Sequence, residues 1–523
     1  MLRRLIAASF VFAAVLGGGP LTSRAQNCGT TTTAGCLTAA DVLNAVQGAA
    51  TAISTDTMVI AVVDRAGTPL AVFRKASAPA RVVGNFGDPT VDANDHAIGL
   101  ARTGAFFSND QAPLSSRTVR FISGIHFPPG VTNKPPAALY GIENTNRGCA
   151  LNPALDAIVP RATGLAVGPC TGGGATAGCG TGIVTGKADV FDSNPAAVDP
   201  GGVPIFKDGK VAGGIGVTGA PPGAAEFAAL AGSVAGGPRF GPRVPFPDAV
   251  ILDGIRLPFV ANTVRPAGVG PGVMGAGFIL GPIASPREAG VPSGFLVGPN
   301  AGARLTAVDV TRIVNRAIEQ ANRTRAAIRL PLGSATRMVI AVADLNGTLL
   351  AVYRMPDATV FSIDVAATKA RNVIYFSSPT RNPGDMPGFP LGFAMTARTI
   401  GFGAMPLFPA GIDGTAPGPF FSDYRRDVLN VCTQGQDPNN LGNQSGVVFF
   451  PGSIGLYSGT TLVGGLGVSG DGVEQDDLVT AAGAGCPGCA SSFVAPLEIR
   501  ADRVILGGVR LPFFKFPRNP EVR

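Results

Sequence analysis

Two short apolar runs, each broken by a polar turn, stand out along the chain and predict the same β-hairpin twice. MVIAVVDRAGTPLAVFRK begins at Met58, and its near-copy MVIAVADLNGTLLAVYRM begins at Met338. Gly67 and Gly347 supply the positive φ that a tight hairpin turn requires. The chain therefore contains an internal repeat.

Helical spacing around each hairpin extends the repeat. LTAADVLNAV from Leu37 corresponds to LTAVDVTRIV from Leu305, and each begins with Thr-x-x-Asp, in which the threonine can cap a helix. A second helix follows each hairpin, and a second hairpin then leads into a short helix and a tail strand. This order predicts an α+β fold, with two tandem copies of an antiparallel sheet flanked by helices.

The repeat also sets the expected domain limits. Copy one is expected at residues 26–260 and copy two at residues 303–523, joined by a Pro/Gly-rich linker at 261–302. Each copy carries a long loop-rich insertion, about Asn109–Pro200 and Thr380–Gly452. Because such lengths are unusual for plain loops, we expect the insertions to pack on the domains as disulfide-tied lids.

The first 25 residues read as a signal peptide. Arg3 and Arg4 precede the short apolar run LIAASFVFAAVLGG, and cleavage is expected near Ala25. An uncleaved anchor is the less favoured alternative. No later segment has eighteen unbroken apolar residues, so we expect no transmembrane segment after cleavage and a secreted or periplasmic protein.

The eight cysteines favour disulfides in an exported chain. The expected local pairs are Cys28 with Cys36, and Cys149 with Cys170 or Cys179. Cys486 and Cys489 form a C-x-x-C motif that could serve redox exchange or half of a zinc site. We favour a small structural disulfide there, because no second such motif and no nearby histidine supplies further metal ligands. The connectivity itself stays open, and Cys432 has no assigned partner.

The charge pattern argues against nucleic acid as a partner. Removing Arg3, Arg4 and Arg24 with the signal peptide lowers the formal net charge from +7 to +4. The chain has no basic run and no interleaving of basic and aromatic residues.

Several motifs of copy two, taken in order, resemble the GlcG/HbpS-like family of haem-binding or "haem-degrading" domains. They are Lys369-Ala370, Ser378-Pro379-Thr380, the sequence GGLGVSG at Gly464–Gly470, and Asp476-Asp477. Copy one keeps the hairpins and GGIGVTG at Gly213–Gly219. It has Leu100-Ala101, Ala112-Pro113-Leu114 and the single acidic residue Glu226 at the other positions, so it looks degenerate.

The resemblance covers about half of each copy and implies an antiparallel α/β domain in a family that includes secreted haem-binding proteins. Members tend to form oligomers. We therefore expect either a homo-oligomer or an intramolecular pseudo-dimer of the two copies with a pseudo-two-fold interface.

Haem needs an axial ligand, an apolar slot and cations for its propionates. The only histidines, His96 and His126, are candidate iron ligands, but Val365 and Leu407 replace them in copy two. The alternative for a lone histidine is a packed or surface residue. The resemblance makes Thr380 a candidate near the cofactor. Tyr375 is another possible ligand, for which a core aromatic is the favoured alternative.

Repeated arginines are candidates for the propionates. Arg102 and Arg371 occupy equivalent positions, and arginine binds carboxylates with two parallel hydrogen bonds. Intramolecular salt bridges, to Asp64 and Asp344 or to other residues, are the favoured alternative for the repeated arginines.

The sequence offers little support for catalysis. G-x-G-x-x-G occurs at Gly214–Gly219 and Gly465–Gly470, but it ends a hairpin strand rather than opening a βαβ unit, so we expect glycines that permit close packing. No catalytic residue is assigned. The favoured function is an exported protein that binds haem or a related tetrapyrrole, with enzymatic activity uncertain and not favoured. The alternatives are a secreted structural or interaction scaffold and, less favoured, an enzyme acting on small organic acids.

Overall fold

The computed structural model describes most of both copies. The described residues are 35–83, 90–123, 139–146, 148–152, 199–242, 251–252, 255–280, 291–409, 415–430, 432–485 and 492–522. The predicted signal peptide, His126, Cys28, Cys170, Cys179, Cys486 and Cys489 lie outside them.

Copy one forms a five-stranded antiparallel sheet in the order β5-β6-β1-β2-β9. Its helices are α1 (Ala39–Ala52), α2 (Ala93–Phe107), α3 (Ser116–Ser123) and α4 (Pro222–Ser233). Its strands are β1 (Val59–Asp64), β2 (Pro69–Arg74), β3 (Arg81–Val83), β4 (Thr90–Asp92), β5 (Gly202–Lys207), β6 (Lys210–Thr218), β7 (Ile251–Leu252), β8 (Ile255–Arg256) and β9 (Phe278–Ile279).

Copy two repeats this topology in the order β13-β14-β11-β12-β10. Its helices are α5 (Ala307–Arg323), α6 (Phe361–Phe376), α7 (Ala397–Gly403), α8 (Phe421–Leu429) and α9 (Val473–Ala484). Its strands are β10 (Gly294–Val297), β11 (Val339–Ala343), β12 (Leu349–Arg354), β13 (Ser453–Ser458), β14 (Thr461–Ser469), β15 (Ile505–Leu506) and β16 (Val509–Arg510). The first hairpin even has the same register, with Val59 opposite Arg74 and Val339 opposite Arg354. The predicted α+β class and the antiparallel sheets are confirmed.

The first helix of each copy starts where the sequence predicts. Thr38 and Thr306 each accept a hydrogen bond from the amide of the aspartate three residues later, and that aspartate accepts from the amide of its threonine. This capping box satisfies backbone donors that would otherwise have no partner in the first turn.

Both faces of the copy-one sheet are buried. Ile60 and Val62 of β1 face a core made with α1 and α4, while Val59, Ala61 and Val63 face the core that contains α2. A sheet covered on both faces explains why the strands are continuous apolar runs rather than alternating ones.

The predicted linker also supplies strands. β9 pairs with β2 of copy one, and β10 pairs with β12 of copy two. The interpretation of 261–302 as a plain connector is therefore incomplete, because the short apolar runs GFIL and GFLV within it close one edge of each sheet.

The glycine-rich strands allow a helix to approach the sheet closely, as predicted. A Cβ at Gly214 or Gly216 would overlap the carbonyl oxygen of Ala101 or Ala97 in α2. A Cβ at Gly465 or Gly467 would overlap the same atoms of Ala370 or Ala366 in α6. These glycines are covered by a helix backbone, so they cannot cradle a dinucleotide.

The two copies pack on each other through the end of α2 and the start of α6. The rings of Phe107 and Phe361 stack with centroids 4.0 Å apart, and the Val360 amide donates to the Phe106 carbonyl at 3.1 Å. In copy one the position of Phe361 is taken by Asp92, which caps its own helix. The mate of this ring stack about a two-fold axis would pair Asp92 with Phe376, and an aspartate cannot stack on a ring.

A disulfide joins the two insertions. Cys149 of copy one is bonded to Cys432 of copy two. The predicted pairing of Cys149 with Cys170 or Cys179 is therefore wrong, because the fold brings together insertions that are far apart in sequence. Cys36 is also disulfide-bonded, while its predicted partner Cys28 lies outside the described residues. Within the described part of the chain, no helix is both long enough and apolar enough to cross a membrane.

Candidate functional site

A pocket of about 660 Å³ opens beside the sheet of copy two. Its walls come mainly from the β11–β12 turn, the C-terminal half of α6 with the turn that follows it, the segment 434–444 and the β13–β14 hairpin. Its lining includes apolar and aromatic side chains (Leu345, Ile374, Pro379, Tyr375, Tyr457 and Leu462) and a wall rich in amides (Asn346, Gln434, Asn439, Asn440, Asn443 and Gln444).

Three residues predicted from sequence line this pocket together. Arg371 and Tyr375 come from α6, one turn apart, and Thr380 comes from the turn that follows the helix. The Thr380 hydroxyl lies 2.9 Å from that of Ser378 and is exposed. The Ser-Pro-Thr motif therefore places an accessible hydroxyl at the pocket edge.

Tyr375 is held as a neutral hydrogen-bond donor. Its hydroxyl donates to Asp385 at 2.6 Å. Burial, together with this bond, raises the pKa of Tyr375 well above its ordinary value. A tyrosinate ligand needs the opposite shift, so the structure favours the packed-aromatic interpretation of this residue.

Asp385 belongs to a buried acidic cluster behind Tyr375. It accepts from Arg426 at 2.7 Å, and Arg426 also donates to Asp423 at 2.9 Å. Burial, with the nearby charge of Asp385, raises the pKa of Asp423 to about 7. The cluster fixes the orientation of Tyr375, and sequence reasoning missed it because its members are scattered through the second insertion.

Arg371 is built into the pocket wall. Its Nε donates to the Gly347 carbonyl at 2.9 Å, which holds the β11–β12 turn. Its Nη2 donates to the Leu151 carbonyl of copy one at 2.6 Å. Arg371 is buried, whereas Arg304, which also lines the pocket, is exposed. Arg304 is therefore the cation at the pocket mouth.

Tyr457 is a pocket residue that the sequence did not single out. It is 1 % exposed, and burial raises its pKa to about 12. Its hydroxyl lies near Ser377 but makes no well-formed hydrogen bond within the described residues. The signal that could have found it is the change from Phe206 in copy one to a tyrosine at the same strand position.

His96 lies away from this pocket, within copy one. It is fully buried, with Nδ1 2.8 Å from the Thr218 hydroxyl and Nε2 against the carboxylate of Asp199. Both ring nitrogens therefore have polar neighbours, which fits a packed histidine better than an iron ligand. His126 lies outside the described residues. No cluster of metal-ligating side chains occurs within the described part of the chain.

Arg102 makes the same contact with its hairpin turn as Arg371 does, but what packs on that turn differs between the copies. Its Nε donates to the Gly67 carbonyl at 2.8 Å, and burial lowers its pKa to about 10. The Phe106 ring packs directly on Gly67, at the place where Asn443 of the pocket wall lies against Gly347 in copy two.

Arg117 and Arg398, another repeated pair, form intramolecular salt bridges as expected, whereas Arg354 donates to the carbonyls of Ala358 and Val291. Arg117 pairs with Glu226, and Arg398 pairs with Asp477. The acidic residue after each second hairpin thus anchors the helix of the preceding insertion.

The pocket lies within the part of the chain that resembles known proteins. Residues 305–485 match the family described as haem degrading protein HbpS-like. The match spans about a third of the chain and includes every pocket residue except Arg304.

Solved structures give weaker similarity. A crystal structure of a PduOC–heme complex shares 22 % identity, covering 35 % of this chain and 96 % of that one, with a TM-score of 0.23. The Klebsiella pneumoniae protein ORFY shares 16 % identity over 34 % of this chain and 85 % of that one, with a TM-score of 0.21. Scores this low carry no argument about this chain. No curated protein matches it significantly.

Proposed function

We propose that the pocket of copy two binds haem or a closely related tetrapyrrole, and that the protein is exported and binds this ligand without turning it over. The observation that carries the proposal is the convergence of Arg371, Tyr375 and Thr380 on one pocket inside the segment that matches the HbpS-like family. The pocket volume lies within the range of ordinary ligand and cofactor sites.

The chemistry of the lining fits such a ligand. Leu345, Ile374 and Leu462 would contact a planar apolar ring, and exposed Arg304 would pair with a propionate. Thr380 would offer its exposed hydroxyl oxygen to the iron, and Tyr457, which its raised pKa keeps protonated, would donate a hydrogen bond to the ligand. When bound, haem would supply a redox-active iron and a strong visible chromophore.

Binding without turnover is proposed because neither a histidine nor a carboxylate free for proton transfer occurs among the described residues that line the pocket. Copy two contains no histidine. Asp437, the carboxylate in the lining, accepts from Gln434 at 2.9 Å and from the Asn439 amide at 2.9 Å, which gives it a structural role. The bonded cysteines Cys36, Cys149 and Cys432 support export to an oxidising compartment.

The test is an optical titration in which hemin is added to the mature chain, which begins at Gln26 and has its disulfides formed. We expect a saturating Soret shift. Thr380→Ala and Tyr457→Phe should alter its position or midpoint, whereas His96→Ala and His126→Ala should not. A featureless, non-saturating rise would favour the scaffold function, and saturable binding of a colourless organic acid would favour the enzyme alternative.

A further inference from the structure

Copy one has lost the space that forms the pocket in copy two. Phe106 replaces Tyr375 and covers Gly67, and buried Arg65 replaces Leu345. The Arg65 guanidinium donates to the Ser108 carbonyl at 2.9 Å and also to that of Ala105. The equivalent site is filled by the side chains of copy one itself.

The first insertion of copy one instead reaches the pocket of copy two. The Leu151 carbonyl accepts a hydrogen bond from Arg371, and the Asn144 side-chain amide donates to the Asp427 carboxylate at 3.1 Å. Cys149, which lies between Asn144 and Leu151 in the sequence, is disulfide-bonded to Cys432. Asn144, Cys149 and Leu151 of the first insertion therefore all contact copy two.

On the other side of the disulfide, Cys432 stands two residues before a pocket residue. The Gln434 side chain accepts from the Asn372 side chain at 3.1 Å. The backbone N–H of Gln434 donates to the Gln444 side chain at 2.9 Å. Asn440 and Asn443 then tie the same segment to the Asn346 carbonyl in the β11–β12 turn. Both cysteines thus adjoin residues that build the pocket wall.

We propose that copy one binds no ligand of its own and acts as a built-in positioning subunit of the copy-two pocket. The Cys149–Cys432 bond and the Leu151 carbonyl hold Arg371 and segment 434–444 in the binding geometry, so that each chain takes one planar, carboxylate-bearing ligand. This inference rests on the proposed function. A wall ordered in advance raises affinity because its ordering entropy is not lost on binding.

The experiment combines hemin titration with hydrogen exchange on the ligand-free chain. The double variant Cys149→Ser/Cys432→Ser should bind hemin about tenfold more weakly or worse, equivalent to about 1.4 kcal/mol. Exchange at 432–446 should be faster. Asn144→Ala keeps the disulfide and should show a smaller change in the same direction. If the double variant fails to fold, Asn144→Ala alone tests the proposal.

Gln111→Ala is the matched control, since Gln111 donates to the Leu330 carbonyl at 2.7 Å across another part of the interface between copies. It should lower stability and leave hemin affinity within about twofold. Two hemin per chain, or unchanged affinity and exchange in the double variant, would overturn the proposal. If the wild type binds no hemin, the proposed function fails, and the exchange at 432–446 alone decides whether copy one holds the wall.

Discussion

Lys369 of α6 and Asp476 of α9 form a buried ion pair, with 3.1 Å between Nζ and Oδ2 and neither side chain more than 3 % exposed. Lys369 also donates to the Val468 carbonyl at 2.9 Å and lies 4.9 Å from the centre of the Phe450 ring. Copy one has Leu100 and Ala225 at these positions, so the same fold also accommodates two apolar residues there.

Breaking this pair from one side should be costly. Lys369→Leu leaves the Asp476 carboxylate buried without its cation, and we expect a loss of about 3–5 kcal/mol in the free energy of unfolding. The double variant Lys369→Leu/Asp476→Ala copies the residues of copy one and should recover most of that loss. Urea denaturation measures both. A double variant as unstable as the single one would contradict this account.

Stability should fall as the pH rises from about 4 to about 7. Burial raises the pKa of Asp423 and of Asp476 to about 7, from the value of 3.8 of an exposed aspartate. The folded chain therefore holds more protons than the unfolded chain across this window, and each such group disfavours folding as it ionises. Urea unfolding at pH 5 and pH 8 tests the direction. Asp423→Asn should make the dependence shallower; an unchanged slope would exclude this residue as a contributor.

Gly467 in β14 should not accept a methyl group. A Cβ at Gly467 would overlap the Ala366 carbonyl oxygen in α6, so Gly467→Ala forces helix and strand apart, at about 2–3 kcal/mol. A Cβ added at Gly442 would meet no atom within 4 Å, and Gly442→Ala should change stability by less than about 0.5 kcal/mol. Thermal unfolding distinguishes the two. Equal effects would mean that the close approach of helix and sheet is not the cause.

Tyr375→Phe should lower the stability of the fold without changing how hemin is ligated. The variant removes the donor to Asp385 and should lower stability by about 1.5–3 kcal/mol, since this hydrogen bond has a charged acceptor. The spectrum of bound hemin should stay unchanged, because the hydroxyl already serves Asp385. A displaced Soret band in this variant, with no displacement in Thr380→Ala, would reassign the ligand to Tyr375.

The features predicted from sequence are those with a local cause. Capping at Thr38 and Thr306 depends on residues three apart, and the hairpin turns at Gly67 and Gly347 depend on one positive φ. The internal repeat helped further, because a motif that occurs twice is less easily mistaken for chance.

The features that were missed depend on which distant segments meet. The Cys149–Cys432 bond, the Asp385 cluster behind Tyr375 and the position of Tyr457 all require knowing how the insertions fold back. Sequence reasoning therefore identified three residues of the pocket and could not tell that the equivalent site in copy one is filled by side chains.

The disulfide between the copies has a consequence for how the chain matures. Cys432 follows Cys149 by 283 residues, which at ordinary rates of synthesis is a delay of tens of seconds. During that delay Cys149 must remain a thiol or take a temporary partner among the cysteines already made. Correct pairing therefore has to await the arrival of the second copy, so the native bond records an event that follows the synthesis of both halves.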